Sequence, residues 1–340
     1  MKYIITGGTG YLGSEIVNYL LKKNHEVLNL DILKLDIKNS NYDYKKIDIS
    51  NKFQLENSIT SADVLIHNVA KVPLIKNKSE FENTNILGTR NVLDIALKKK
   101  IKKVVYISSS AVYGVLGTSP INENQQRCPA ERYGETKKIG EDLCLEFREK
   151  GLNTSIIRPR TIMGGKRLGI FSMLFWWIEN NKKIPTINNG NNLYQFVDIN
   201  DLIEAIYLTS LYEKSEDFNI GSEKYYSIRE NIEHLISYTK SSAKITNIDN
   251  NYIFKFGYYL SKFNIIPLHE YHFKAYGKEI YFDTSKAKKL LKWSPKVSNK
   301  QSFENSFNYY IQNKKKTSNN LSPHQKIMKN LILRFGTFFI

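Results

Sequence analysis

At 340 residues, 41% hydrophobic and 24% charged, the chain suits one large globular unit or two fused ones and has ample apolar material for a core. Two cysteines, Cys128 and Cys144, exclude a disulfide framework or a thiolate metal cluster and fit a reducing compartment. The formal charge of +17 comes from 50 Lys and Arg against 33 acidic residues. The lysines are scattered and no DNA or RNA module signature appears, so nucleic acid is not an expected partner.

The opening MKYIITGGTGYLG lacks a basic region leading into an apolar stretch and a cleavage site, and no segment reaches the roughly 18 apolar residues of a membrane span. The cytoplasm is the expected location. KYIIT reads as a buried strand, followed by a glycine turn and an amphipathic stretch from Ser14 to Lys23. HEVLNLD and KKIDI read as the next strands, Phe53 to Thr60 as a helix, and ADVLIHNVA as a fourth strand. Glu80 to Lys100 reads as a long helix, KKVVYISSS as a strand, and Thr136 to Lys150 as a helix leading to NTSIIRP. Strands alternating with helices predict an α/β fold, a Rossmann doubly wound parallel sheet over residues 1–170.

After Pro159 the alternation breaks down, and residues 171–313 are expected to form a smaller C-terminal substrate-binding lobe over the open strand ends. Residues 314–340 carry six Lys and Arg and no acid. There KKKTSNN reads as a basic linker and the remainder as an amphipathic tail, with Ile327, Leu331, Phe335 and Phe338 at helical spacing. Such a helix suits peripheral contact with an anionic membrane surface, or docking on its own domain or a second subunit.

Thr6-Gly7-Gly8-Thr9-Gly10-Tyr11-Leu12-Gly13 directly follows the first strand and opens the first helix. A glycine turn there lets backbone approach a pyrophosphate, whose charge meets the amides of a helix N-terminus. Gly7, Gly10, Tyr11, Leu12 and Gly13 are thus expected to bind a dinucleotide. Asp31, ending the second strand, would accept from the ribose hydroxyls and repel a 2′-phosphate, which favours NAD over NADP. Asp48 and Ile49 would bracket the adenine.

Tyr133 and Lys137 stand four apart and stack on one helix face. An ammonium near a phenol favours the phenolate, which makes Tyr133 a general-base candidate. His269-Glu270-Tyr271-His272 is not a zinc motif, since its histidines are three apart, and no metal is expected.

TGGTGYLG, Asp31, DI at 48, HNVA at 67, NILGT at 85, SSSAVYG at 108, YGETK at 133 and RP at 158 occur in order. YQFVDINDL at 194, FNIGS at 218 and YFDTSKAKKLLKWSP at 281 follow. Together they make residues 1–313 resemble an extended short-chain dehydrogenase/reductase of the NAD-dependent epimerase/dehydratase family. The resemblance implies that Ser109 hydrogen-bonds the reacting oxygen and Tyr133 takes the hydroxyl proton. Lys137 would hold the nicotinamide ribose, with hydride passing to NAD. It also implies that Val69, Ala70, Lys71, Asn85 and Pro159 line the cofactor and that the enzyme is a homodimer.

Sugar 4,6-dehydratases of this family follow the catalytic Thr with Asp-Glu, whereas here Ser110-Ala111 follows Ser109. Elimination lacks its acid and base, which leaves epimerisation of a nucleotide-sugar through a transient keto intermediate. Nucleotide-sugar enzymes commonly carry an arginine where this chain has Leu193, Tyr194 and Gln195, and Thr161 replaces an asparagine of UDP-galactose-type epimerases. Arg160, Lys166, Arg167 and Lys278 are candidates for the missing positive charge, with Ser109 and Thr161 beside the sugar. One alternative is an NAD-dependent dehydrogenase of a hydroxysteroid-like alcohol; the apolar IFSMLFWWI at 170–178 could line its pocket, although a buried helix face is the better reading of that stretch. Another is a non-catalytic dinucleotide-binding sensor or scaffold, against which the intact Ser109-Tyr133-Lys137 set argues.

Overall fold

The computed structural model describes residues 1–59, 61–71, 81–115, 119–166, 168–247 and 277–314. In chain order the first half comprises β1 (Lys2–Thr6), α1 (Tyr11–Lys22), β2 (Glu26–Asp31), β3 (Tyr42–Lys46), α2 (Lys52–Ser58) and β4 (Val64–His67). A wide turn with π-helical hydrogen bonding, Glu82–Leu87, runs into α3 (Gly88–Lys98). It is followed by β5 (Lys103–Ile107), a short tight turn (Ser110–Tyr113), α4 (Arg132–Glu149) and β6 (Thr154–Pro159). The second half contains β7 (Thr161–Met163), α5 (Phe171–Glu179), β8 (Lys183–Thr186), β9 (Leu193–Tyr194), β10 (Phe196–Asp198), α6 (Ile199–Leu211) and β11 (Asp217–Ile220). It closes with β12 (Tyr226–Ser227), α7 (Ile228–Thr239), β13 (Lys244–Asn247), α8 (Ser285–Leu291) and α9 (Asn299–Asn313).

The sheet follows from the period-two pattern of its strands. In β1, Tyr3 and Ile5 enter one core with Ile16, Val17 and Leu20 of α1, Leu202 and Ile206 of α6 and Leu291 of α8. Ile4 points the other way, into a core with Leu55 of α2, Val92 and Ala96 of α3 and Leu143 and Phe147 of α4. Each such fully buried aliphatic side chain contributes about 1.5–3 kcal/mol. Seven parallel strands result, in the order β11-β6-β5-β4-β1-β2-β3. The chain runs outward from β1 to β2 and β3, then restarts on β1's other side with β4. That reversal opens a crevice at the carboxyl ends of β1 and β4, where ligands of such sheets bind.

The expected boundary at residue 170 does not describe how the chain is partitioned. Helices α6 and α8 pack in the same core as β1, and β11 extends the main sheet by pairing with β6, Phe218 opposite Ile157. The lobe is therefore assembled from interrupted segments: the short pairs β7/β10, β8/β13 and β9/β12 with α5, α7 and α9. Its core holds Phe175, Trp177 and Ile178 of α5 against Phe303, Phe307 and Tyr310 of α9. Those α5 side chains are packed inside the lobe, which opposes their reading as the lining of an apolar substrate pocket. No described helix is long and apolar enough to cross a membrane. Residues 315–340 of the tail expected at 314–340, Arg167 and the His269–His272 motif lie outside the described residues.

Candidate active site

The glycine turn sits at the mouth of the crevice, and each glycine is there for a different neighbour. Gly7 has φ +75°, and a Cβ on it would lie 2.7 Å from the Val69 backbone, so the ends of β1 and β4 touch. A Cβ on Gly13 would lie 2.0 Å from the Gly7 carbonyl oxygen, which fixes the turn against the first turn of α1. Gly10 is different. Its backbone angles (φ −67°, ψ 176°) suit any residue, and a Cβ would meet only the Gly7 oxygen, at 3.5 Å. The missing side chain at Gly10 therefore clears space for something outside the protein. No side chain caps this helix, so the positive end of its dipole faces the turn, where an anion is favoured. These features fit the diphosphate of a dinucleotide. The Tyr11 and Leu12 side chains are buried and the Tyr11 hydroxyl donates to the Gly164 carbonyl at 2.9 Å, so only their backbone faces the turn.

Asp31 accepts from the Thr9 and Leu33 amides at 2.9 and 3.1 Å. A carboxylate has about four acceptor sites, so ribose hydroxyls still find room. Buried Asn29, not singled out in the sequence, accepts from the Gly8 amide at 3.1 Å and holds the turn from below. Asp48 is exposed and accepts from the Ser50 amide at 2.9 Å, whereas the Ile49 side chain is buried beneath Gly88. Val69 and Ala70 are half-buried along the crevice. Asn85 is buried; its amide accepts from the Lys71 N–H at 2.8 Å and donates to the Lys71 carbonyl and the Thr136 hydroxyl, both at 3.1 Å. That side chain ties the loop after β4 to α4. Pro159 is buried at the end of β6.

The proposed chemical groups gather at the carboxyl end of β5. Glu131 caps α4, accepting from the Tyr133 and Gly134 amides at 2.7 and 2.8 Å. A Cβ on Gly134 would lie 2.5 Å from the Ala111 carbonyl oxygen, so the first turn of α4 abuts the turn that Ser109 opens. The Ser109 hydroxyl accepts from the Ala111 amide at 3.2 Å. One helical turn beyond Tyr133, the Lys137 ammonium donates to the Ile107 carbonyl at 2.7 Å and lies 5.0 Å from the centre of the Tyr106 ring. Burial pulls the Lys137 pKa down to about 8, against the opposing influence of Glu141 and Cys144. An ammonium has three donors, so others remain for a ribose. Beneath, His67 bridges the Thr6 and Thr89 hydroxyls at 2.7 and 2.9 Å. Burial, aided by the Lys137 charge, pushes its pKa down to about 3.

Glu131 and Asn29 escaped the sequence reading because glutamate is a weak N-cap signal and a strand asparagine carries none. On the substrate side, Arg160 is 1% exposed and donates to the Ser110 hydroxyl at 3.0 Å. Thr161 and Tyr194 share a hydroxyl hydrogen bond at 3.0 Å. Gln195 is buried, donating to the Ser222 carbonyl at 2.7 Å and accepting from the Phe282 amide at 2.9 Å. Lys166 does not join the site: it pairs with Glu15 of α1 at 2.8 Å. Lys278 is exposed, and its carbonyl accepts from Asn192 at 3.0 Å.

Residues 3–221 match the NAD dependent epimerase/dehydratase family. Protein y4nG of Sinorhizobium fredii is 34% identical over 312 residues, covering 92% of this chain and 79% of that relative. The UDP-N-acetyl-alpha-D-glucosaminuronate decarboxylase of Bacillus cytotoxicus is 29% identical over 335 residues, 91% of this chain and 97% of its own. The crystal structure of UDP-glucuronic acid 4-epimerase from Bacillus cereus in complex with NAD is similar with TM-score 0.74 and 25% identity, covering 92% of this chain and 99% of that one. With a crevice that suits the cofactor and these likenesses, the chain belongs to the NAD-dependent epimerase/dehydratase family and is an NAD-dependent enzyme.

Proposed function

We propose that the enzyme epimerises a nucleotide-sugar through a transient keto intermediate. NAD, held by the Gly7–Gly13 turn, Asp31 and Lys137, supplies the two-electron acceptor and donor. Tyr133 takes the proton of a ring hydroxyl as the carbinol carbon becomes a carbonyl, and gives it back when the carbonyl is reduced from the other face. Lys137, four residues along the same helix face, favours the phenolate. Ser109 donates a hydrogen bond to the oxygen as its charge changes.

The observation that carries this reading is the gathering of the Ser109 turn, the first turn of α4 and the Lys137 ammonium at the end of β5. Ser110 and Ala111 stand where elimination would need an acid and a base, so loss of water from the carbons beside the keto group lacks its catalysts. The test is a panel of UDP-hexoses and UDP-hexuronates incubated with the holoenzyme and followed by NMR. Expected is an epimer of one substrate without net NADH. Tyr133→Phe should lose about 10²–10⁴-fold in rate while keeping its NAD. Stoichiometric NADH points instead to a net dehydrogenase, and carbon dioxide to a decarboxylase. We also propose a homodimer through the helices on one sheet face, to be checked by light scattering against the 39.5 kDa chain mass.

A further inference from the structure

Two arginines two residues apart on one strand end show opposite bonding. Arg158 turns its Nε and Nη2 edge to the buried Glu141 carboxylate, at 2.9 and 2.8 Å. Those two N–H groups point the same way and match the spacing of two carboxylate oxygens. Arg160 is as deeply buried, at 1% exposure, yet only its Nη1 is bonded, to the Ser110 hydroxyl at 3.0 Å. Its Nε and Nη2, the same side-on edge, have no hydrogen-bond partner. Among the described residues no carboxylate forms an ion pair with it. The rings of Tyr194 and Phe282 lie over the guanidinium at 4.8 and 5.5 Å.

A buried permanent cation with an empty two-pronged edge is costly unless something fills it. We propose that Arg160 is a specificity-determining residue which reads a carboxylate on the sugar, carried by the ring carbon next to the one oxidised; the substrate class is a nucleotide-hexuronate. This rests on the nucleotide-sugar reading above. The placement selects carboxylate over the pyrophosphate. Arg160 is tied to Ser110, the chain neighbour of Ser109, so on the reading above it would stand beside the oxidised carbon and face a group on the adjacent ring carbon. The diphosphate leaves from the anomeric carbon, farther round the ring. Lys166, another of the candidate cations, is already paired with Glu15.

The test compares UDP-glucuronate with UDP-glucose, which differ only in carboxylate against hydroxymethyl, by calorimetry on the NAD-loaded full chain, with UDP as a third probe. The parent should bind UDP-glucuronate ~10- to 100-fold more tightly than UDP-glucose, the scale of a charge-assisted bidentate pair. Arg160→Gln should erase that preference and leave UDP-glucose and UDP unchanged. Arg160→Lys, with charge but no fork, should fall between. Equal affinities in the parent, a comparison that needs no variant to fold, overturn the proposal. So does an Arg160→Gln protein with native NAD content that weakens UDP-glucose, UDP-glucuronate and UDP alike, which would place the guanidinium at the diphosphate. If none of the three probes binds the parent, the nucleotide-sugar reading itself fails, a result distinct from loss of the carboxylate preference alone.

Discussion

Replacing Gly10 with alanine separates the cofactor's needs from the fold's. The Gly10 backbone is already in a region open to L-residues, and the added methyl would meet only one protein atom, at 3.5 Å. Gly10→Ala should therefore leave the cofactor-free protein as stable as the parent, or up to ~1 kcal/mol more stable through a less flexible unfolded chain. With NAD the methyl occupies the space the diphosphate needs. Crowding of that kind costs about 1–3 kcal/mol, roughly a hundredfold in Kd at the upper end. At an NAD concentration a hundred times the parent's Kd, ligand stabilisation is about 2.7 kcal/mol for the parent, and it falls to about 0.4 kcal/mol for a variant bound a hundredfold more weakly. The assay is thermal unfolding of cofactor-stripped protein with and without NAD. Gly13→Ala is the contrast: its Cβ would sit 2.0 Å from the Gly7 oxygen, so it should lose about 1–3 kcal/mol before any NAD is added. A Gly10→Ala protein that binds NAD like the parent, or that is itself unstable, refutes the assignment of the turn.

Two other groups give pH signatures. The Lys137 pKa near 8 means the ammonium is lost as pH rises through that value, so kcat should fall on an alkaline limb centred near 8. Lys137→Arg, which keeps its charge, should be slower but lack the limb, and an unchanged limb counts against the assignment. For His67 the folded pKa of about 3 lies below the ordinary 6.5, so the unfolded chain binds more protons between those values. The neutral ring's contribution to stability is complete above pH 6.5 and is lost progressively as pH falls toward 3. His67→Gln should flatten urea-derived stability across that window; an acid dependence as steep as the parent's contradicts this.

The first half of the fold was legible because its signals are local. The strand KYIIT, the glycine turn and the Tyr133/Lys137 spacing each sit within a few residues, and the structure places them around one crevice. Boundaries were less legible for the same reason. Helix α1 begins at Tyr11, ahead of the expected Ser14, because apolar periodicity becomes visible only from Ile16 onward. The third strand is the polar Tyr42–Lys46, while the more apolar Ile47 and Ile49 follow it and turn into the core, Ile49 under Gly88. Strand β11 was hidden because its partner β6 lies some sixty residues upstream. Arg160, Lys166 and Lys278 are alike in sequence; only coordinates show one buried and half-bonded, one paired with Glu15 and one exposed.

The most direct measurement follows a deuterium placed on the ring carbon proposed to be oxidised in the nucleotide-sugar turned over by the holoenzyme. The account predicts an epimer that keeps the deuterium on the inverted carbon, with no exchange into solvent and no free NADH. Deuterium lost to water, or released as stoichiometric reduced cofactor, contradicts it.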